Sequence, residues 1–203
     1  MMKIYSYSIL AVLVTAGISL AGPSLTNGNF SDGLNGWTIE EGPVYSYSEQ
    51  ALLEENGYPY VTSMSQSFTL HGAAETLSFD IDMNTMQGTT GSSQYSDAFA
   101  AYLLDPVDYS PLISNPGFSE FYYLENNGFE ETVGTVSGNT VELDVTSIAG
   151  QDVYLAFDLY SEDDGLITSV FIDNVMVAPA AIPAPAALLL CGIGLAAVRH
   201  VRS

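Results

Sequence analysis

The sequence predicts an all-β fold, an antiparallel β-sandwich set between two apolar ends. Three observations carry that expectation. Residues 77–83 (LSFDIDM), 141–145 (VELDV) and 153–160 (VYLAFDLY) alternate apolar and polar side chains, the period of a strand with one buried face. Gly, Asn, Asp, Pro and Ser cluster between such runs, as turns between strands require. No long stretch of the middle of the chain repeats at 3.6 residues, so no amphipathic helix is expected there.

The chain opens with Lys3, an apolar run at 9–16 (ILAVLVTA) and Ser19-Leu20-Ala21, the small-x-small pattern that signal peptidase reads. The expectation is a signal peptide over residues 1–21, cut between Ala21 and Gly22. The competing readings are an uncleaved anchor and a buried N-terminal helix. The run is shorter than the roughly 20 residues that span a bilayer, which weighs against the anchor.

Residues 22–178 then form one domain, long enough for a proper core. Its strong strands are 77–83, 141–145, 153–160 and 169–177, and weaker candidates are 44–47, 65–70, 98–104 and 121–124. Residues 86–96 (MQGTTGSSQYS) form a polar loop between strands. The domain is strongly acidic. All 24 Asp and Glu lie between Gly22 and Val177, whereas the 3 Lys and Arg (Lys3, Arg199, Arg202) lie outside it. A field of that sign disfavours nucleic acid and anionic membrane surfaces as partners and favours divalent cations. The single cysteine, Cys191, lies in the apolar tail, where a small space-filling role suits it, so no disulfide braces the domain.

Ser24-Leu25-Thr26-Asn27-Gly28-Asn29-Phe30, followed by Leu34-Asn35-Gly36-Trp37, resembles the opening of galactose-binding-like jelly rolls, a group that includes many carbohydrate-binding modules. Residues 77–83 resemble their central strand and residues 170–177 their last. The resemblance implies a jelly roll in which Trp37 packs in the core. It also implies a structural Ca²⁺ between the domain's start and an Asp of the last strand. The matching positions are Asn27, Asn29, Asp32 and Asp173, with Ser31 standing where an acid is common. A second acidic run, Glu162-Asp163-Asp164-Gly165, lacks the alternate spacing of an EF-hand loop and reads as a solvated turn.

Aromatic faces beside Asp and Asn are the chemistry of sugar recognition, and equally what a half-buried strand surface prefers. Tyr58-Pro59-Tyr60 and Tyr122-Tyr123 are the best platform candidates for a polysaccharide. No catalytic constellation stands out. His71 is the only histidine of the domain, in a turn-like stretch before Gly72, and no Gly-x-Ser-x-Gly elbow occurs. The expectation is a non-enzyme. A carboxylate pair for glycoside hydrolysis stays open, because acids are everywhere.

From Ala178 the composition changes. A small-residue hinge (Ala178-Pro179-Ala180-Ala181) leads to Ile182-Pro183-Ala184-Pro185, an uncharged run at 186–198 and the basic end Arg199-His200-Val201-Arg202-Ser203. The apolar run is short for a stable span, and Gly192 and Gly194 weaken its helix. Ile182-Pro183-x-Pro185, Leu188-Leu189-Leu190, Gly192-Ile193-Gly194 and the Arg199/Arg202 tail together resemble the PEP-CTERM sorting signal in its broad, Val-Pro-Leu-Pro-Ala-type sense. The resemblance implies a transient transmembrane sorting helix over residues 179–203, read by an exosortase after export. Ala184 stands where the type motif has Glu, and the basic cluster has only two arginines. An ordinary C-terminal membrane anchor is the competing reading. The expected protein is exported to the cell surface or matrix, binding exopolysaccharide with Ca²⁺ support. A purely structural surface protein and a polysaccharide-acting enzyme are the alternatives.

Overall fold

The computed structural model describes residues 24–55, 60–72, 75–87, 95–162 and 166–179. The signal-peptide and sorting-signal expectations, and Tyr58, lie outside the described residues.

Among the described residues thirteen strands follow one another: β1 Thr38–Glu41, β2 Val44–Tyr47, β3 Gln50–Glu54, β4 Val61–Thr69, β5 Glu75–Gln87, β6 Ala98–Leu104, β7 Pro111–Ile113, β8 Tyr122–Glu125, β9 Glu130–Thr132, β10 Thr135–Ser137, β11 Thr140–Asp144, β12 Asp152–Tyr160 and β13 Leu166–Pro179. They build two antiparallel sheets. The first runs β1-β4-β12-β6-β8-β9, with β7 also on β6, and the second runs β10-β11-β5-β13-β3-β2. The described residues therefore form an all-β, two-sheet antiparallel sandwich, as the alternation predicts.

The strong sequence runs are the central strands, because alternation is what a strand with one buried face needs. On β12, Val153, Leu155, Phe157 and Leu159 are buried inside while Asp152, Tyr154, Asp158 and Tyr160 lie on the opposite face. On β5, Leu77, Phe79 and Ile81 are buried in the same way. Phe79 is the main inter-sheet plug. Its ring meets those of Phe157 (5.1 Å), Tyr122 (5.9 Å), Phe121 (6.3 Å) and Phe99 (6.4 Å), all from the first sheet's side. Trp37 extends this cluster from Phe157 (5.8 Å) to Phe30 (5.4 Å). It is buried, and its Nε1–H donates to the Asn27 carbonyl at 3.2 Å.

The opening segment is clamped to both sheets. Gln66, an inward-facing amide of β4, donates to the Thr26 carbonyl (3.0 Å) and accepts from the Thr26 N–H (2.7 Å), so this buried amide is satisfied. Gly28 lies against β13, where the Val175 N–H donates to the Gly28 carbonyl at 2.9 Å. A Cβ at Gly28 would fall 1.8 Å from the Val175 carbonyl oxygen, so only glycine permits this approach.

Two local expectations are corrected, and one hairpin is added. The strand at 77–83 extends to Gln87, so Met86 and Gln87 belong to β5 rather than to the polar loop. The last strand extends through Ala178 and Pro179, which pair with Thr76 and Glu75; the expected hinge begins inside the sheet. The β2–β3 hairpin was not legible. Its two-residue loop is Ser48-Glu49, with φ of 51° and 62°, between paired Tyr47 and Gln50. Positive φ at both loop positions is the sign of a type I′ turn, where Asn-Gly is the usual pair. A non-glycine residue in the left-handed region costs on the order of 1 kcal/mol. The double substitution Ser48→Asn and Glu49→Gly is therefore expected to raise unfolding free energy by about 1 kcal/mol in urea denaturation at unchanged slope. A lower midpoint would show that this turn is not strained.

Candidate functional site

The outer face of the first sheet carries a groove built from strand side chains. Register sets its rows. Ser67, Tyr154 and Leu104 lie side by side, then Ser65, Ala156 and Tyr102, then Ser63, Asp158, Ala100 and Tyr123, then Val61, Tyr160, Ala98 and Glu125. Ala98, Ala100 and Ala156 keep the floor low, so the tyrosines beside them stand as walls. Glu40, Ser63, Tyr102, Tyr109, Glu120, Tyr154, Asp158 and Tyr160 line about 590 Å³ of groove. Tyr160 also borders an adjoining depression of about 430 Å³, lined by Tyr95, Tyr123, Glu125, Asn127 and Glu162 among others.

Hydrogen bonds fix the walls. The Tyr102 and Tyr160 hydroxyls meet at 2.8 Å, and Tyr160 also donates to Asp158 Oδ2 at 3.2 Å. Ser63, directly opposite on β4, donates to the other oxygen of Asp158. Tyr154 (3.0 Å) and Ser65 (2.7 Å) both donate to Glu40 Oε1, whose position falls at the bulge of β1. At the other end Tyr123 donates to Glu125 Oε1 (3.2 Å) and Asn127 to Glu125 Oε2 (2.6 Å).

One wall comes from a loop. Tyr109 has a φ of 58° and sets its ring edge-on to Tyr154, at 5.3 Å and 89°. Side-chain bonds of Asp105 to the Val107 N–H (2.7 Å) and of Asp108 to the Ser110 N–H (2.9 Å) hold that loop. A bulky residue kept in the left-handed region costs on the order of 1–3 kcal/mol and persists where the surroundings over-determine it. Tyr109 nevertheless keeps 59% of its surface exposed, so the strain positions a ring rather than burying one.

Behind the second depression, buried Asp97 joins three elements. It accepts from the Thr168 hydroxyl of β13, from Asn126 Nδ2 (3.3 Å) and from the Glu162 N–H (2.6 Å). The groove's end is thereby fastened to the opposite sheet.

Burial dominates the titration of these groups. It pushes the Tyr102 phenol up to about 12, with the nearby Asp158 and Glu120 charges adding to the rise against the lowering bond from Tyr160. Burial, then the Glu125 charge, pushes Tyr123 up to about 12 as well. Tyr154 and Tyr160 are raised for the same leading reason. Burial also raises Asp158, offset by the hydroxyls of Ser63 and Tyr160.

The platform candidates read from sequence separate here. Tyr123 faces the groove. Its neighbour Tyr122 is buried on the opposite face with its hydroxyl donated to Glu130 (2.8 Å), because adjacent strand residues point to opposite faces. Tyr60 is exposed just before β4 and does not line the groove. The decisive residues, Tyr102, Tyr109, Tyr154 and Tyr160, carry no signal individually; the outward series Tyr154, Ala156, Asp158, Tyr160 is the pattern that points to them.

Of the positions matched to calcium, Asn29 lies against the last strand. Asn29 and Asn174 line the same depression beside Gly28 and Val175. Several of their polar atoms take part in bonds within the segment. Asn27 Nδ2 donates to the carbonyls of Gly33 and Asn35 (both 2.9 Å), and its Oδ1 accepts from the Asp32 N–H at 3.1 Å. Asp32 accepts from Asn35 (2.7 Å), Asn29 from the Ser31 hydroxyl (3.1 Å), and Asp173 from the Asn174 N–H (2.6 Å). Calcium needs six to eight oxygen ligands around one point. Among the described residues no three or more His, Cys, Asp or Glu converge. His71 is exposed outside the strands.

No protein-family profile and no curated protein matches the sequence. Among solved structures the chain is similar to the enzymatically active domain of tailspike protein 4 of bacteriophage CBA120, with TM-score 0.45 and 12% identity over 77% of this chain and 21% of that one. It is also similar to a family 61 carbohydrate-binding module in complex with β-1,4-galactotriose, with TM-score 0.42 and 14% identity over 77% of this chain and 98% of that one. A family 4 carbohydrate-binding module gives TM-score 0.43 and 12% identity over 74% of this chain and 99% of that one. At these scores the likenesses carry no argument about function. The fold rests on the strand pairing described above.

The raised phenols give a test of the groove itself. Their folded pKa exceeds the ordinary 10.0, so their contribution to stability is complete below that pH and is lost as pH rises through about 12. Tyrosinate absorbance is expected to show Tyr102 and Tyr123 ionising about two pH units above the ordinary tyrosine value, together with loss of folded structure. A single unshifted titration would show the groove tyrosines to be solvated.

Proposed function

We propose that this chain is an exported, non-catalytic polysaccharide-binding protein of the cell surface or extracellular matrix, and that the tyrosine groove on the first sheet is its glycan platform. One observation carries the glycan reading. Tyr102, Tyr109, Tyr123, Tyr154 and Tyr160 surround an open groove whose carboxylates and hydroxyls already hold one another in place. Sugar rings offer apolar C–H faces to aromatic rings and hydroxyls to carboxylates, and a rigid platform spends little ordering entropy on binding. Strands supply four of the five rings, which favours precise placement.

Export rests on the sequence. Ser19-Leu20-Ala21 fits signal peptidase, and Ile182-Pro183-x-Pro185 with the Gly192/Gly194 run and the Arg199/Arg202 tail fits an exosortase-read signal that holds the chain in the membrane until processing. The non-catalytic reading is supported by the commitment of Glu40, Asp158 and Glu125 to hydroxyl and amide donors. Turnover of a bound polysaccharide would replace it.

The test is affinity electrophoresis of the full chain in a non-glycosidic detergent against a panel of polysaccharides. Tyr109→Ala and Tyr154→Ala are each expected to weaken binding to a retained polysaccharide about tenfold or more, equivalent to about 1.4 kcal/mol. Tyr47→Ala, on the second sheet, is expected to leave binding unchanged. Equal loss at Tyr47, or none at Tyr109 and Tyr154, would move the binding face elsewhere.

Calcium is tested separately by thermal unfolding. The hydrogen bonding of Asn27 predicts the same Tm in calcium and in EDTA. A clear rise with calcium, abolished by Asp173→Asn, would establish the ion expected from the sequence.

A further inference from the structure

We propose that the groove selects polysaccharides bearing free ammonium groups, polymers of non-acetylated amino sugars, over neutral and uronic-acid polymers. This rests on the glycan-binding reading of the groove. Two independent features of the site are complementary to an ammonium and not to an anion.

The first is charge placement. Glu40, Glu120 and Asp158 line the main groove, and Glu125 and Glu162 line the adjoining depression. Glu41 stands opposite Ser63 and Glu131 opposite Tyr123, so the row through Asp158 ends in a further carboxylate at either side. No Lys or Arg lies in the domain to offset them. A cleft lined by one sign of charge over low-dielectric walls concentrates the opposite sign. A uronic-acid chain would bring a second row of carboxylates into that field.

The second is the direction of the hydrogen bonds. The hydroxyls of Ser63, Ser65, Tyr123 and Tyr154 donate inward to Asp158, Glu40 and Glu125, so their protons are spent. What remains toward an incoming chain is mostly acceptor lone pairs. A sugar hydroxyl both donates and accepts, and finds few donors here. An ammonium only donates, three times, and also gains from the face of an aromatic ring at about 6 Å or less. The tyrosine walls and the carboxylates therefore favour the same group.

The experiment measures affinity of the full chain, in a non-glycosidic detergent at mildly acidic pH, for β-linked glucosamine oligomers, N-acetylated oligomers of equal length, and oligogalacturonate. Expected is at least tenfold tighter binding of the glucosamine oligomer, falling steeply between roughly 0.05 M and 0.5 M salt while the acetylated oligomer changes little. The pair Glu120→Gln and Glu125→Gln should abolish that preference. The pair Asp82→Asn and Glu142→Gln, on the second sheet, should leave it intact. If the acetylated oligomer binds equally or better, the ammonium selectivity is overturned while glycan binding stands. If both variant pairs reduce the preference equally, the whole-domain field is responsible and the groove assignment is overturned. If no oligomer or polymer binds, the glycan reading falls and this inference with it.

Discussion

Carboxylates without cations are the constraint on which the structure depends. The domain holds 24 acidic side chains and no Lys or Arg, so the positive partner that an acid ordinarily finds is missing. Hydroxyl groups take its place, and the strand register delivers them. Ser63 stands opposite Asp158 and Thr69 opposite Asp152, each pair joined across β4 and β12. Thr140 stands opposite Asp80 and donates to it across β11 and β5. Tyrosines do the same at longer reach, Tyr154 to Glu40 and Tyr122 to Glu130. A hydrogen bond to a charged group is stronger than a neutral one, and a cross-strand pair is the unit of sheet stability. A shift of one residue would break every such pair and turn the aromatic core outward, so polar matching and burial specify the same register.

That arrangement also shapes the site. Three of the four outward rows mix a carboxylate or hydroxyl with an alanine and a tyrosine, while the inward positions of the same strands are filled by Phe99, Leu103, Leu155 and Phe157. The inner face determines where the strands lie and the outer face inherits rigid ring positions. Tyr109 is the exception, a loop residue held at positive φ by Asx-type bonds. Its exposure and its edge-on contact with Tyr154 place backbone strain at the groove rim, where strain tends to accompany function.

Most of the fold was legible because the central strands alternate strictly. The missed elements have physical reasons. The β2–β3 hairpin turns on Ser48-Glu49, which lacks the Asn-Gly signal its backbone requires. β7, β9 and β10 are three residues each, too short for a period to register. The site was legible only as tyrosine abundance. Whether Tyr122 or Tyr123 faces solvent is a matter of parity, and parity is decided by pairing with Ala101 and Ala100 on β6, which no local pattern reveals. In the opening segment Asn27 is the hub of the loop bonding, a role that its place in the Asn-Gly-Asn-Phe run does not announce.

The acidic charge acts on two length scales, and they have opposite consequences. Within hydrogen-bond distance each engaged carboxylate is stabilised by its hydroxyl, so removing a hydroxyl such as Ser63 would leave a half-buried charge less satisfied. Over a Debye length of about 8 Å, hydroxyls neutralise nothing, and the repulsion among neighbouring carboxylates remains. Asp173 directly opposite Asp80 on the second sheet shows the residual cost: Asn174 Nδ2 bonds Asp80 Oδ2 at 2.8 Å and the strand bulges immediately after. Local hydroxyl pairing thus makes an acidic sandwich foldable without making it neutral. The field left over is unsatisfied by anything the domain itself contains, so whatever carries positive charge to its surface relieves strain already built into the folded state.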